Sequence, residues 1–241
     1  GSDRDLFPKR VDFIQQTLID AGAVVTRVDD GDNVTMGIEG NKYYIGQPVR
    51  LNGFVRPYTR MEFFCTPADE IYAKKGTGQK IREELVMSSA EASFLKAEAI
   101  VRGLTGGDAQ TEFAAGITSA MKLWGVADGA IGTYLADEDL ADISTGTMDE
   151  KLEKIAVQRW IAAYTDGFEA WAIVRKTGYP ATLAAGVSDF DIFGPGDING
   201  VYPERLRYGT NAYSQNAANL NIAIGRQGAD GMDTKLWFSK P

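Results

Sequence analysis

Gln158-Arg159-Trp160-Ile161, running on through Trp171 and Arg175 to Gly178-Tyr179-Pro180, is the stretch that decides the fold. Its tryptophans fall on helical stripes, and it ends in a hard stop. Gly178 is free to take the left-handed cap conformation, and Pro180 cannot continue a helix. The expectation is one long helix, opened by a capping box of Thr147 with Glu150 and carrying Trp160 and Trp171 into the core. Trp124 is read as core in the same way, and Arg159 and Arg175 as ion-pair residues of that layer. A second stretch, Tyr202-Pro203-Glu204-Arg205-Leu206, places an arginine pair (Arg205 and Arg207) and a leucine expected to be buried straight after a proline turn. Thr234-Lys235-Leu236-Trp237-Phe238 follows it near the C-terminus.

Working outward, the chain divides into three parts. Residues 85–178 read as helical. Ser88 with Glu91 forms a capping box ahead of the stripe Ala90, Phe94, Ala97, Val101. Gly106-Gly107 turns the chain, Asp108 is an N-cap, and Phe113, Ile117 and Met121 make the facing stripe. Gly116 sits between them, where a missing side chain lets two helices approach closely. This pair resembles a tetratricopeptide hairpin. Residues 126–140 add a further turn or two of helix. Residues 3–84 mix a helix over 6–21 with strand-like pieces: turn signals at Gly31-Asp32-Asn33 and Gly40-Asn41 bracket Val34-Thr35-Met36-Gly37-Ile38. Residues 179–241 are loop-rich apart from one helix over 214–227. The fold class expected is mostly α: tetratricopeptide-like helical hairpins with long irregular loops and a few short strands.

Composition narrows the chemistry. The 241 residues are 44% hydrophobic, with a net charge of -8 and no block of like charges. A nucleic-acid backbone would be repelled, and no Lys/Arg run suggests a phosphate-tracking groove. Histidine is absent, which removes His-based triads, the usual zinc sites and the commonest general acid/base. The single cysteine, Cys65, rules out an internal disulfide and is expected to be a small buried residue. Lys74-Lys75-Gly76-Thr77-Gly78 lacks the Walker spacing and reads as a surface loop.

Order and spacing in the two C-terminal stretches resemble the SusD/RagB family of bacterial outer-membrane lipoproteins, in the branch patterned QKW…EAW…RRTGYP…PRRLPYP. The resemblance implies a surface protein of Gram-negative, Bacteroidetes-like cells. Such a protein captures oligosaccharide or polysaccharide for a TonB-dependent, SusC-like transporter and has no catalytic motif. Members of that family are much longer, with an N-terminal lipid anchor and more helical repeats. The chain is therefore expected to be one SusD-like C-terminal region, a fragment of such a protein. The runner-up function is a helical-repeat scaffold for a protein partner, and a carboxylate-based glycosidase comes last.

Site candidates follow from what a neutral glycan needs, namely flat rings for its CH faces and neutral hydrogen-bonding groups. Tyr43, Tyr44, Phe54, Tyr58, Phe63, Phe64 and Tyr72 lie in irregular segments. The resemblance implies that aromatics ahead of the last helical hairpin contribute to the glycan platform. Phe54, Tyr58 and Tyr72 are the candidates chosen, with core or loop packing as the alternative reading. Asp189, Asp191, Asp197 and Asn199 offer hard oxygen ligands suited to calcium, although not at EF-hand spacing; solvated loop residues is the competing reading. Asp166 with Glu169, and Glu83 with Glu84, are adjacent carboxylates. As positions on one helix they diverge, whereas a glycosidase opposes its pair about 5 to 10 Å apart across a cleft.

Overall fold

The computed structural model describes residues 3–31, 33–39, 45–46, 64–65 and 85–239. The chain divides into two compact units, one made of Gly1–Arg82 with Val187–Val201 and the other of Glu83–Gly186 with Tyr202–Pro241.

In the first unit, helix α1 spans Asp3–Asp20, close to the helix expected over 6–21. Val11, Ile14 and Leu18 share one face of it, and all three are buried. Gly22 turns the chain with φ +81. Strands β1 (Val25–Asp30) and β2 (Asn33–Ile38) then form an antiparallel hairpin in which Asp30 pairs with Asn33. Its tight turn uses Gly31 at φ +58, as a two-residue hairpin connection demands. Arg27 joins hairpin to helix, 2.6 Å from Asp12 and 2.8 Å from Asp29. Ile14, Leu18, Ala23, Ile45, Phe64 and Ile192 make the core of this unit. Phe193 adds an edge-to-face contact with Phe13 at 5.3 Å.

Cys65 is exposed, contrary to the buried position expected of it. Its neighbour Phe64 takes the core position instead. Cys65 is tied by its backbone, its N donating to Ile45 O at 2.7 Å, and the residue is left exposed.

In the second unit, α2 (Ser89–Val101) and α3 (Ala109–Leu123) form the expected hairpin. Asp108 caps α3, accepting from Gln110 N at 2.9 Å and Thr111 N at 3.3 Å. Ser88 Oγ accepts from Glu91 N at 3.1 Å, and the Glu91 carboxylate turns to a cavity described below. Ala90, Phe94 and Ala97 of α2 pack on Phe113, Gly116 and Ile117 of α3. A Cβ on Gly116 would lie 2.5 Å from Phe94 Cε1, so the bare backbone is what admits the ring.

Helix α4 (Asp128–Asp137) is longer than the turn or two expected, and a 3-10 turn at Asp139–Ala141 follows. The Gln110 amide holds the next segment, donating to Ala141 O at 3.0 Å and accepting from Ile143 N at 2.6 Å. Ile143 and Ile155 complete the core of the hairpin.

The long helix expected through Trp160 and Trp171 is two helices, α5 (Met148–Ala162) and α6 (Gly167–Thr177). Asp166 makes the break: its side chain caps the second helix by accepting from Glu169 N at 3.0 Å. At the start of α5, Thr147 and Glu150 form the full capping box. Gly178 ends α6 at φ +77, and the Tyr179-Pro180 peptide is cis. A short helix, α7 (Ala181–Ala184), follows.

The helix expected over 214–227 is likewise split, into α8 (Thr210–Gln215) and α9 (Ala217–Gln227). Asn216 stands between them at φ -142, its side chain accepting from Asn219 Nδ2 at 2.7 Å. Such a local side-chain bond competes with helix continuation. Among the described residues no helix is long and apolar enough to cross a membrane.

Candidate functional site

Phe54, Tyr58 and Tyr72 lie outside the described residues, as do Glu83 and Glu84. Phe64, from the same aromatic group, is buried in the first unit's core. Of the calcium candidates, Asp189 and Asp191 both face Lys9, whose Nζ lies 3.0 Å from one carboxylate and 2.8 Å from the other. The ammonium stands where a cation would and is held in its charged form by those two hydrogen bonds. Asn199 takes the left-handed conformation after a 3-10 turn that contains Asp197. Among the described residues no three His, Cys, Asp or Glu side chains are grouped to hold a metal.

A half-enclosed polar cluster surrounds Arg159. Its guanidinium donates to Glu98 of α2 and Glu169 of α6, both at 3.2 Å, while Arg102 also pairs with Glu98 at 2.8 Å. Arg159 Nε is buried and finds no hydrogen-bond partner among the described residues. Beside it lies a cavity of about 40 Å³, lined among others by Met87, Glu91, Phe94, Arg159 and Ile173. That space admits about three waters and falls well short of a sugar ring. Burial, and after it the neighbouring Glu169 carboxylate, push the Glu91 pKa up, against the pull of Arg159.

A more open cleft of about 330 Å³ includes Glu98, Arg102, Asp149, Arg159, Lys176 and Tyr179. The carboxylates at the start of α6 have structural work of their own: Asp166 caps the helix and Glu169 pairs with Arg159. Arg159 is thus the ion-pair residue expected of it.

Arg175 behaves differently. It lies over the Trp171 ring at 4.6 Å and the Phe238 ring at 5.6 Å, and donates to Glu204 O at 2.8 Å. Trp171 Nε1 donates to Pro203 O at 2.6 Å. Phe238 in turn meets Trp237 edge-on at 5.6 Å, and the Trp237 side chain is in solvent, with 84% of the residue exposed. The result is a stack of Trp171, Arg175, Phe238 and Trp237 running from a half-buried base to an open indole.

Trp124, Trp160 and Trp171, expected as core, are only partly buried. A large ring with a polar N–H keeps one edge near polar groups or water, as Trp171 does with Pro203. Leu206, expected to be buried, is 58% exposed, and Arg205 is the enclosed residue at 5%. Asp230 explains the exchange. It pairs with Arg205 at 2.8 Å and also accepts from Tyr208 N and Tyr213 Oη.

The family described as "Starch-binding associating with outer membrane", SusD-like, matches residues 23–208. The chain belongs to this SusD-like family. The match takes in the arginine layer, the α2–α3 hairpin and the segment holding Phe54, Tyr58 and Tyr72, and it stops short of Trp237. Among solved structures, a chitin-binding SusD homologue from Flavobacterium johnsoniae is 27% identical over 64% of this chain and 36% of its own, with a TM-score of 0.54. A SusD homologue from Bacteroides uniformis is 29% identical over 68% of this chain and 38% of its own, with a TM-score of 0.55. A third, from Bacteroides thetaiotaomicron, shares the fold over 94% of this chain and 50% of its own at 22% identity, with a TM-score of 0.53. The chain thus spans only part of the length of these SusD-like relatives. No curated protein matches it.

Proposed function

We propose that this chain belongs to a glycan-capturing protein of the cell surface, one that binds neutral oligosaccharides and passes them to a TonB-dependent, SusC-like transporter in the outer membrane. It binds without turning its ligand over and is held at the membrane by an N-terminal lipid. The observation that carries this reading is the SusD-like match over residues 23–208. The chitin-binding relative from Flavobacterium johnsoniae is in keeping with it. A chain with a net charge of -8 and no histidine is suited to stacking and neutral hydrogen bonds. Phe54, Tyr58 and Tyr72 are the residues proposed to contact the sugar. The Lys9 ammonium already pairs with Asp189 and Asp191, and no metal is included in this reading.

Calorimetry with maltohexaose and chitohexaose at low and high salt tests this. Saturable heat is expected, unchanged by salt or by a chelator, because ring stacking releases no ions. Tyr58→Ala or Tyr72→Ala should weaken binding and leave the melting temperature in place. Affinity that collapses in salt would mean a charged ligand. Steady release of reducing ends would overturn the non-catalytic reading.

A further inference from the structure

We propose that Trp237 is a saccharide-stacking residue in addition to the aromatics of residues 43–72. The proposal rests on the reading that this protein binds glycans and adds a residue that the family match does not reach. Four observations lead to it.

First, the indole is open. Trp124, Trp160 and Trp171 are partly buried, whereas Trp237 is 84% exposed. Second, it is held in place from behind. Phe238 meets it edge-on, Arg175 covers Phe238, and Arg175 is fixed by the Trp171 ring and the Glu204 carbonyl. The Trp237–Ser239 turn is closed by Ser239 N donating to Leu236 O at 2.9 Å. A ring oriented before the ligand arrives loses less freedom on binding.

Third, a loosely paired lysine stands two residues ahead of the indole. Lys235 Nζ lies 3.9 Å from Glu204 Oε1, with the lysine side chain 55% exposed. At that separation neither group is saturated by the other. A sugar laying its CH face on the indole has hydroxyls at its rim, which can donate to the carboxylate and accept from the ammonium. Fourth, the surroundings do not suit a dry protein interface. Along the chain the polar Asp233, Lys235 and Ser239 bracket the two rings, and a docking surface needs a contiguous apolar core.

The test uses tryptophan emission together with calorimetry, with maltohexaose, chitohexaose and cellohexaose as probes. A sugar covering Trp237 should shift emission to the blue, saturably. Trp237→Ala should abolish that shift and weaken overall affinity about tenfold, with an unchanged melting temperature, and Trp237→Tyr should retain most of the affinity. Binding heat that is the same in Trp237→Ala as in the parent overturns this proposal and leaves the glycan reading intact. Absence of binding heat with every probe removes both. An emission shift that follows protein concentration without sugar also overturns it, and assigns the face to contact between copies of the chain.

Discussion

Replacing Gly116 by alanine should destabilise the helical unit, although the same change in an open helix stabilises it. Alanine in a helix interior is favoured over glycine by about 1 kcal/mol. Against that gain, the new methyl would stand 2.5 Å from Phe94 Cε1 and 2.6 Å from Cδ1. Phe94 cannot swing clear, because it is fully buried and Phe113 lies against it with ring centroids 5.8 Å apart. Overpacking of this kind costs about 1–3 kcal/mol. An overlap this close with a fully buried ring falls in the upper part of that range, about 2–3 kcal/mol, so the net loss expected is about 1–2 kcal/mol, or roughly 2–8 °C in melting temperature for a chain of this size. Gly132 is the control. It sits in α4 with nothing within 4 Å of its absent Cβ, so Gly132→Ala should raise stability. All four tryptophans, at 124, 160, 171 and 237, belong to the helical unit, so urea unfolding followed by their emission reads that unit directly. In a Phe94→Leu background the cost of Gly116→Ala should shrink, since the ring atom nearest the new methyl is gone. A Gly116→Ala protein as stable as the parent, or more so, would refute the close approach of α2 and α3 at this point.

Asp230→Ala should cost about 3–5 kcal/mol, because it strands Arg205 in a site where the two side chains are 6% and 5% exposed; urea unfolding showing under 1 kcal/mol would mean the arginine finds another partner. Two glutamates should titrate stability in opposite senses. The Thr147 backbone and side-chain hydrogen bonds lower the Glu150 pKa below 4.5, so its contribution is complete above that value and is lost as acid protonates the folded state. The deficit of Glu150→Gln should therefore close below that pH. Glu91, pushed above 4.5 by burial and Glu169, disfavours the folded state once ionised. Glu91→Gln should thus be more stable than the parent at neutral pH, with the difference vanishing as pH falls through the folded pKa toward 4.5. Thermal melts from pH 3 to 8 check both, and parallel curves would contradict the assignments.

The sequence was most legible where the information is local. The caps at Ser88, Asp108 and Thr147, the Gly178 stop and the Gly116 contact each depend on residues within a turn or on one apolar stripe. The break between α5 and α6 was also written locally, as Asp166 three residues ahead of Glu169, but the apolar run on either side outweighed it. Periodicity reports which face of a helix is inside and says little about depth, so Trp160 and Trp171 were placed too deep. Arg205 and Leu206 were exchanged because the deciding partner, Asp230, lies 25 residues away. The Lys9 pairing with Asp189 joins residues 180 apart, beyond any pattern in the chain. Trp237 stands in a tail without periodicity, where nothing marks a ring as inside or outside.

Between the helices, the polypeptide leaves the second unit after Gly186 and rejoins it at Tyr202. This excursion is pinched at its base, where Val187 N donates to Gly200 O at 2.8 Å. Gly200 has φ +77, and a Cβ there would overlap the Val187 carbonyl, so the pinch accepts no other residue without strain. The stem therefore enters and leaves at nearly one point. What lies beyond such a closure can lengthen or shorten at small entropic cost. A change of length between Ser188 and Asn199 therefore leaves the two chain ends at the neck together but disturbs the first unit, whose core includes Ile192 and whose Lys9 pairs with Asp189 and Asp191.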